Sequence, residues 1–466
     1  MNPILPDTFW PFLLAFAGCF GAPTFRNFCG IVAGWVHCLG RHTITAVALA
    51  SGDLERRHVS TFHRFFACAQ WTLDSLGFVI VKLAEPWLDA NQPLLAGLDD
   101  TLARKTGKCV SLGSMHHDPL LSPSARKPFT SFGHVWVMLS LWVPLPFTQQ
   151  RGVALPILFR LYVGKRRGGQ KDGPSRRSTG KRQEAAQRAA EQTVHRTKLE
   201  LGREMVDLLA SWVGDRHLVV AMDSAYAGRT MLERRPANVD FVSRLRLDAA
   251  LWTPPPARRL GQKGRPRRRG QRLPKPSLWA STRRCWHRLT LTLYGRAVTM
   301  RVFTKTALWY VALRDQPVRI VIVRDPSGRR RDEAFFCTDV RASAAFILQT
   351  YASRWCLEVA FRDGKQHLGF EDPQQQSERA VRRTAPIAFI VYDLVWLWAA
   401  SRAQAGQALG WVPRPWYRHK TAPSFADLLT ALRHERWRSA LFDPPCDSRR
   451  RKNSLPSWSH AVLATA

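Results

Sequence analysis

What this 466-residue chain lacks narrows its chemistry first. Its nine cysteines include no Cys-x-x-Cys pair, and Cys19, Cys29 and Cys38 are spaced by ten and nine residues. Neither zinc nor disulfide frameworks use that spacing, so reduced, mostly buried thiols in a cytoplasmic protein are expected. Acidic residues are scarce: 35 Asp and Glu stand against 70 Lys and Arg. No run of about 18 uncharged apolar residues occurs, which argues against a membrane span. Residues 9–20 are apolar, but they follow Asp7, contain Pro11 and lack a basic leader, so they read as a buried helix rather than a signal peptide. Lys105-Thr106-Gly107-Lys108 lacks the spacing of a phosphate loop, so no nucleotide cofactor is implied. No internal repeat is visible.

What is present is positive charge on a globular background. The formal net charge is +35, with a pI near 11.1, and 45% of residues are apolar. A chain of this size and composition can bury a large core and divide into two or three domains. Such an excess of one sign repels itself unless it meets a polyanion. The basic residues are spread along the chain rather than gathered beside an apolar span. Nucleic acid is therefore the expected partner, a membrane is not, and a cytoplasmic, nucleoid-associated location follows.

The chain reads as an α/β protein in five parts. Residues 1–90 are helical, and a Gly52-Asp53 break within 43–66 suggests either a helix-turn-helix whose second helix could enter a major groove or simply two packed helices joined by a turn. Residues 91–246 alternate short apolar runs with turns, and the run 218–222 ends at Asp223 as a strand buried on both faces would. A Gly-, Lys- and Arg-rich stretch, 165–182, reads as a loop or disordered phosphate-binding segment leading into a long helix over 181–212. Residues 247–340 form a β-rich, basic insertion whose Pro/Gly/Arg segment, 254–276, cannot pack as a core. Residues 341–403 carry two helices, the first capped by Ser343 and the second, 378–402, kinked or broken at Pro386. Residues 404–466 hold a last helix over 425–438 and a basic tail.

The densest chemistry lies in Tyr-Ala-Ser-Arg-Trp-Cys-Leu-Glu-Val-Ala-Phe-Arg-Asp-Gly-Lys, residues 351–365. At about 100° per residue, Tyr351, Arg354, Glu358, Arg362 and Lys365 share one helical face. A lone carboxylate ringed by phosphate-binding groups suits a metal ion acting on a nucleic-acid backbone. Two strands also end in aspartate, at Asp100 and Asp223. Three acids meet only if a cation offsets their repulsion, and divalent magnesium or manganese prefers carboxylate oxygen. Two such ions roughly 3.5–4 Å apart can activate a water or a 3′-hydroxyl on a phosphodiester.

The spacing Tyr351-x2-Arg354-x3-Glu358-x6-Lys365 resembles the Tyr-Arg-Glu-Lys signature of insertion-sequence DDE transposases. Leu-Asp-Asp100-Thr with Lys105-Thr-Gly-Lys108, and Val-Val-Ala-Met-Asp223-Ser-Ala-Tyr, are similar to that family's two aspartate motifs. The resemblance implies an RNase H-like mixed sheet flanked by helices, a β-rich insertion before the glutamate and a helical N-terminal DNA-binding region. It also implies that Asp100, Asp223 and Glu358 hold two Mg2+ or Mn2+ ions, and that Tyr351, Arg354 and Lys365 contact phosphates, with Arg362 beside them. Asp99 competes for the first position, and Asp100 is favoured because it immediately precedes threonine. The implied partners are double-stranded DNA, at inverted-repeat ends and target, and a second copy of the chain in the synaptic complex. The implied chemistry is strand cleavage at element ends followed by 3′-hydroxyl strand transfer. A nuclease that cuts without joining, or a non-catalytic DNA-binding derivative, would share much of this sequence.

Other features read more plainly. His116 and His117 are adjacent, so on a strand they face opposite sides and cannot chelate together. Trp286, Trp309 and Trp355 could stack on an unpaired base, but among eighteen tryptophans core packing is the expectation for each.

Overall fold

The computed structural model describes residues 5–122, 128–148, 152–164, 195–257, 263–407, 409–411, 415–416 and 420–442. The basic stretch 165–182, the first part of the helix expected over 181–212 and the basic tail lie outside the described residues. Helices of seven or more residues are numbered in chain order. Four come first: α1 (Ala22–His37), α2 (Ile44–Ala50), α3 (Ser60–Ala67) and α4 (Leu73–Ala84). Thr43 caps α2 and Thr72 caps α4, each accepting a backbone N–H with its side-chain oxygen. The link between α2 and α3, residues 51–59, is longer than the three- to four-residue turn of a helix-turn-helix. Phe62, Phe65 and Phe66 of α3 are buried, so its aromatic face packs inward.

A ten-stranded sheet follows, with β4 (Val153–Tyr162) paired to β3 (Thr130–Val143), and β3 to β1 (Leu94–Arg104). Strand β1 runs parallel to β5 (Leu218–Met222), and β5 parallel to β6 (Val239–Leu245). The order β4-β3-β1-β5-β6, antiparallel on one side of β1 and parallel on the other, is an RNase H-like mixed sheet. Short β2 (Ser114–His117) lies along the start of β3. The β-rich insertion continues this same sheet as β7 (His287–Leu293), β8 (Arg296–Leu308), β9 (Pro317–Arg324) and β10 (Glu333–Cys337), joined through the β10–β6 pair. The short helix α6 (Pro276–Thr282) leads into β7.

Strand alternation decides which face each side chain meets. On one face Leu95 and Val219 pack with Ile347 and Leu348 of α7 (Ala344–Ser353), and Gly97 lies under Leu357 of α8 (Trp355–His367). On the other face Leu98 lies over Gly202 of α5 (Lys198–Val213). Helix α9 (Glu378–Gln404) is long and apolar enough to cross a membrane, yet it is buried in the core. It also runs through Pro386, so the break that a proline there could cause does not occur. Residues 384–400 are buried without exception, and that packing outweighs the roughly 3 kcal/mol a helical proline costs. The last helix, α10 (Phe425–Phe442), packs Leu428, Leu429 and Leu432 against this core.

The N-terminal helices are fastened to the sheet at one close approach. Strand β4 carries Pro156 and bulges at Ile157, between the pairs Leu139–Leu158 and Ser140–Pro156. This is an edge position, where proline is tolerated. A Cβ on Gly77 of α4 would stand 1.9 Å from the carbonyl oxygen of Ile157. Arg160 then bridges Asp74 of α4 and Glu204 of α5 at 2.7–2.9 Å. Gly77→Ala should therefore cost about 2 kcal/mol or more by overpacking, read as a lower urea midpoint; an unchanged midpoint would contradict this docking.

Candidate active site

Helix α7 stops at Ser353 and α8 begins at Trp355, so the polar stripe crosses a junction rather than one continuous helix. Arg354 keeps helical dihedrals, and the chain tightens there to i,i+3 hydrogen bonds, with Arg354 N donating to Tyr351 O and Leu357 N to Arg354 O. This junction faces the β1 surface that carries Gly97 and Asp99. The Arg354 guanidinium lies between two acids: Nη1 donates to Asp99 Oδ2 and Nη2 to Glu358 Oε1 at 2.8 Å. Its Nε is buried and has no hydrogen-bond partner among the described residues. Tyr351 flanks it, with the Arg354 Cζ 5.7 Å from the ring centroid and the Phe335 ring tilted against Tyr351 at 4.9 Å.

Asp223 follows the end of β5 and accepts from the backbone N and, at 2.9 Å, the Oγ of Ser224. The register pairs Leu98 with Met222, so Asp99 and Asp223 are the next positions on adjacent parallel strands. Burial pushes the Asp99 carboxyl up to about 7 against the pull of Arg354, and the charges of Asp100 and Asp223 add to the rise. Asp99, Asp223 and Glu358 thus share one face of the sheet.

Asp100 departs from its expected place. It is on the opposite face, where Lys198 Nζ donates to Oδ2 at 2.7 Å and the Tyr226 hydroxyl to Oδ1 at 2.7 Å. Strand parity is the reason: adjacent residues on β1 cannot both face α8. Lys198 and Tyr226 were not read as site residues, and only their distance in sequence from Asp100 hid them. Arg362 is exposed and pairs with its neighbour Asp363 at 2.9 Å, not with any of the three acids. Lys365 Nζ donates to Leu102 O at 2.6 Å and stands 3.4 Å from Glu371, so it ties the end of α8 to β1, and burial lowers its pKa. Beside it Lys105 donates to Glu371 O at 2.7 Å, and burial lowers its pKa to about 8.

The Met115-His116-His117-Asp118 cluster takes up structural partners. His116 is half-buried and His117 exposed, as alternation requires. Buried Asp118 receives Arg104 at 2.7 and 2.9 Å and Ser131 at 2.7 Å. Trp355 does not pack in the core: it is 51% exposed and meets Tyr294 edge-on at 6.5 Å, on the lip of the Arg354 site.

Among the described residues no group of three His, Cys, Asp or Glu side chains stands ready to hold a metal ion. A single guanidinium already pairs with two of the three acids, offsetting one of their two charges. The three acids nevertheless offer only oxygen, the ligand atom that hard divalent cations prefer.

The residues 15–307 match the family model of a DDE superfamily endonuclease. The chain belongs to that family. The matched residues include Asp99, Asp100 and Asp223, and endonucleases of this superfamily generally use divalent metal ions. The chain is also similar to a probable transposase for insertion sequence element IS5377 of Geobacillus stearothermophilus, 36% identical over 95 residues. That alignment takes in 20% of this chain and about a quarter (25%) of the relative's length. A cryo-EM structure of a piggyBac transposase synaptic complex with hairpin DNA aligns over 97% of this chain and 81% of that one. Its identity is 12% and its TM-score 0.39, too low to establish a shared fold.

If Arg354 is shared by Asp99 and Glu358, its loss strands both acids. Arg354→Gln should destabilise the protein by about 3 kcal/mol, as breaking a buried pair does. Adding Asp99→Asn should recover at least about 1 kcal/mol of that in a double-mutant cycle of chemical unfolding. Strictly additive losses would refute the shared contact.

Proposed function

We propose that this chain is a transposase that cuts DNA at the ends of its element and joins the freed 3′-hydroxyl to target DNA. Family membership and the resemblance carried by Tyr351, Arg354, Glu358 and Lys365 support this reading. The single observation that carries it is the Arg354 guanidinium held between Asp99 and Glu358, beside Asp223. Asp99, Asp223 and Glu358 would hold two divalent ions, Mg2+ or Mn2+, with Asp99 rather than Asp100 as the first acid. When bound, such ions lower the pKa of an attacking water or hydroxyl and offset charge on the leaving oxygen.

The remaining work falls to the chain's own residues. Asp99, with its carboxyl pushed up to about 7 by burial even beside Arg354, favours a further cation or a proton near neutral pH. Arg354 is the cation beside it until it is displaced. Once displaced, its planar fork suits bidentate contact with a phosphate of the strand being cut, and the unpartnered Nε adds a third donor. Tyr351 keeps the guanidinium over its ring. Lys365 acts through β1, fixing the strand that presents Asp99. Asp100 acts from the far face by anchoring Lys198 and Tyr226.

In the reaction, water oxygen bonds to phosphorus at the element end as the P–O3′ bond breaks, leaving a 3′-hydroxyl. That hydroxyl then attacks a target phosphate and displaces the target's own O3′. No covalent enzyme intermediate is required.

The test uses the full chain, its flanking DNA on a plasmid, and Mg2+. Asp99→Asn and Glu358→Gln should reduce cleavage to background while duplex binding persists. Asp100→Asn should cost no more than about tenfold, the lower range for a supporting group. A dead Asp100→Asn beside an active Asp99→Asn would reverse the assignment. Cut ends that never appear in joined product would instead favour a nuclease without strand transfer.

A further inference from the structure

Residues 249–314 contain sixteen Lys and Arg and no Asp or Glu, nearly half of the chain's net charge of +35. No catalytic group lies among them. The loop inside this stretch is closed at its neck by backbone: Thr253 N donates to Gln271 O and Gly270 N to Thr253 O, both at 2.9 Å, and Leu273 N to Leu251 O at 2.8 Å. Only glycine fits at 270, where a Cβ would meet Thr253 Oγ1 at 2.3 Å and Pro254 O at 2.5 Å. Trp252 bridges both Arg272 and Leu308, which fastens the neck to the end of β8.

Aromatic rings hold the cations in place without neutralising them. Arg269 stands between Trp252 and Tyr310, its Cζ 4.7 and 4.9 Å from their centroids. Nearby, Arg283 lies over Phe303 at 4.4 Å and Lys305 over Trp279 at 5.1 Å. A guanidinium stacked by its face keeps its in-plane N–H edges available. Lys263, Arg265, Arg267, Arg268 and Arg269 are all exposed, and among the described residues none pairs with a carboxylate. The rings themselves are half-buried and turned to cations, so they offer no stacking platform for unpaired bases. Charge without carboxylates or stacking surfaces fits phosphates of a duplex, read without regard to sequence.

We infer that the Arg-rich loop, residues 263–272, is a second DNA-binding site that grips duplex phosphates independently of sequence and apart from the Asp99–Glu358 centre. This rests on the reading that the chain acts on DNA, and it assigns a surface to that partner. The test is fluorescence anisotropy of the full chain with labelled duplexes of about 30 base pairs, of two unrelated compositions, across a salt series. Replacing Arg265, Arg267 and Arg268 together with Gln should lower the slope of log K against log salt by about 2–3, since each lost phosphate contact removes roughly 0.9. Lysine at the same three positions should keep the wild-type slope, and both duplexes should respond alike. A wild-type slope in the glutamine variant would overturn the inference, as would a loss confined to one duplex or a lysine variant that behaves like glutamine. Failure of the other reading looks different: the wild type would bind duplex through this loop and cut no DNA.

Discussion

The whole centre depends on one guanidinium shared by two carboxylates that sit 259 positions apart in the chain. Asp99 is mostly buried and has Asp100 and Asp223 as neighbours, so its ionised form needs a cation close by. Glu358, one helical turn past Arg354, brings a second negative charge. Arg354 serves both, which fixes α8 against β1 and sets the direction of the junction between α7 and α8. The same contact defines a conformational condition. Under the proposed function, metal ions would compete with Arg354 for Asp99 and Glu358, and the displaced side chain would have donors that match a phosphate.

The rest of the fold keeps this contact aligned. Strand β1 is held on both edges, by β3 and by β5, so its alternation is rigid and Asp99 and Asp100 are kept on opposite faces. Lys365 and Lys105 secure the far end of β1 through Leu102 and Glu371, and the bidentate Arg104–Asp118 pair secures its last residue. The insertion adds four strands to the same sheet, so the basic loop at its base is carried by the frame that carries the acids. Positive charge is thereby divided: one half-buried arginine inside the acidic centre, and a solvent-facing group along the loop neck at Trp252.

Much of this was legible in the sequence, and the failures have specific causes. Spacing alone identified the Tyr351–Lys365 stripe because helical periodicity survives the break at Arg354. The apolar run before Asp223 marked a strand buried on both faces, and β5 is buried throughout. The threonine that follows Asp100 favoured it over Asp99, but parity has meaning only once the face covered by α8 is known. Pro386 misled because local backbone cost is visible in sequence and the burial that outweighs it is not. Trp355 was assigned to the core by residue type, yet a helix start beside an open site leaves its ring half in solvent. The tight turn expected between α2 and α3 failed for a simpler reason: Gly52-Asp53 ends α2 but does not begin α3.

The central claim is that Arg354 holds the position of divalent ions bound by Asp99, Asp223 and Glu358. A crystal structure of the chain soaked in Mn2+, with anomalous scattering to locate manganese, tests it most directly. The account predicts manganese peaks within about 2.0–2.2 Å of oxygens of Asp99, Asp223 and Glu358, with Arg354 turned away from both partners. Manganese bound by Asp100, or Arg354 still bridging Asp99 and Glu358 beside the ions, would contradict it.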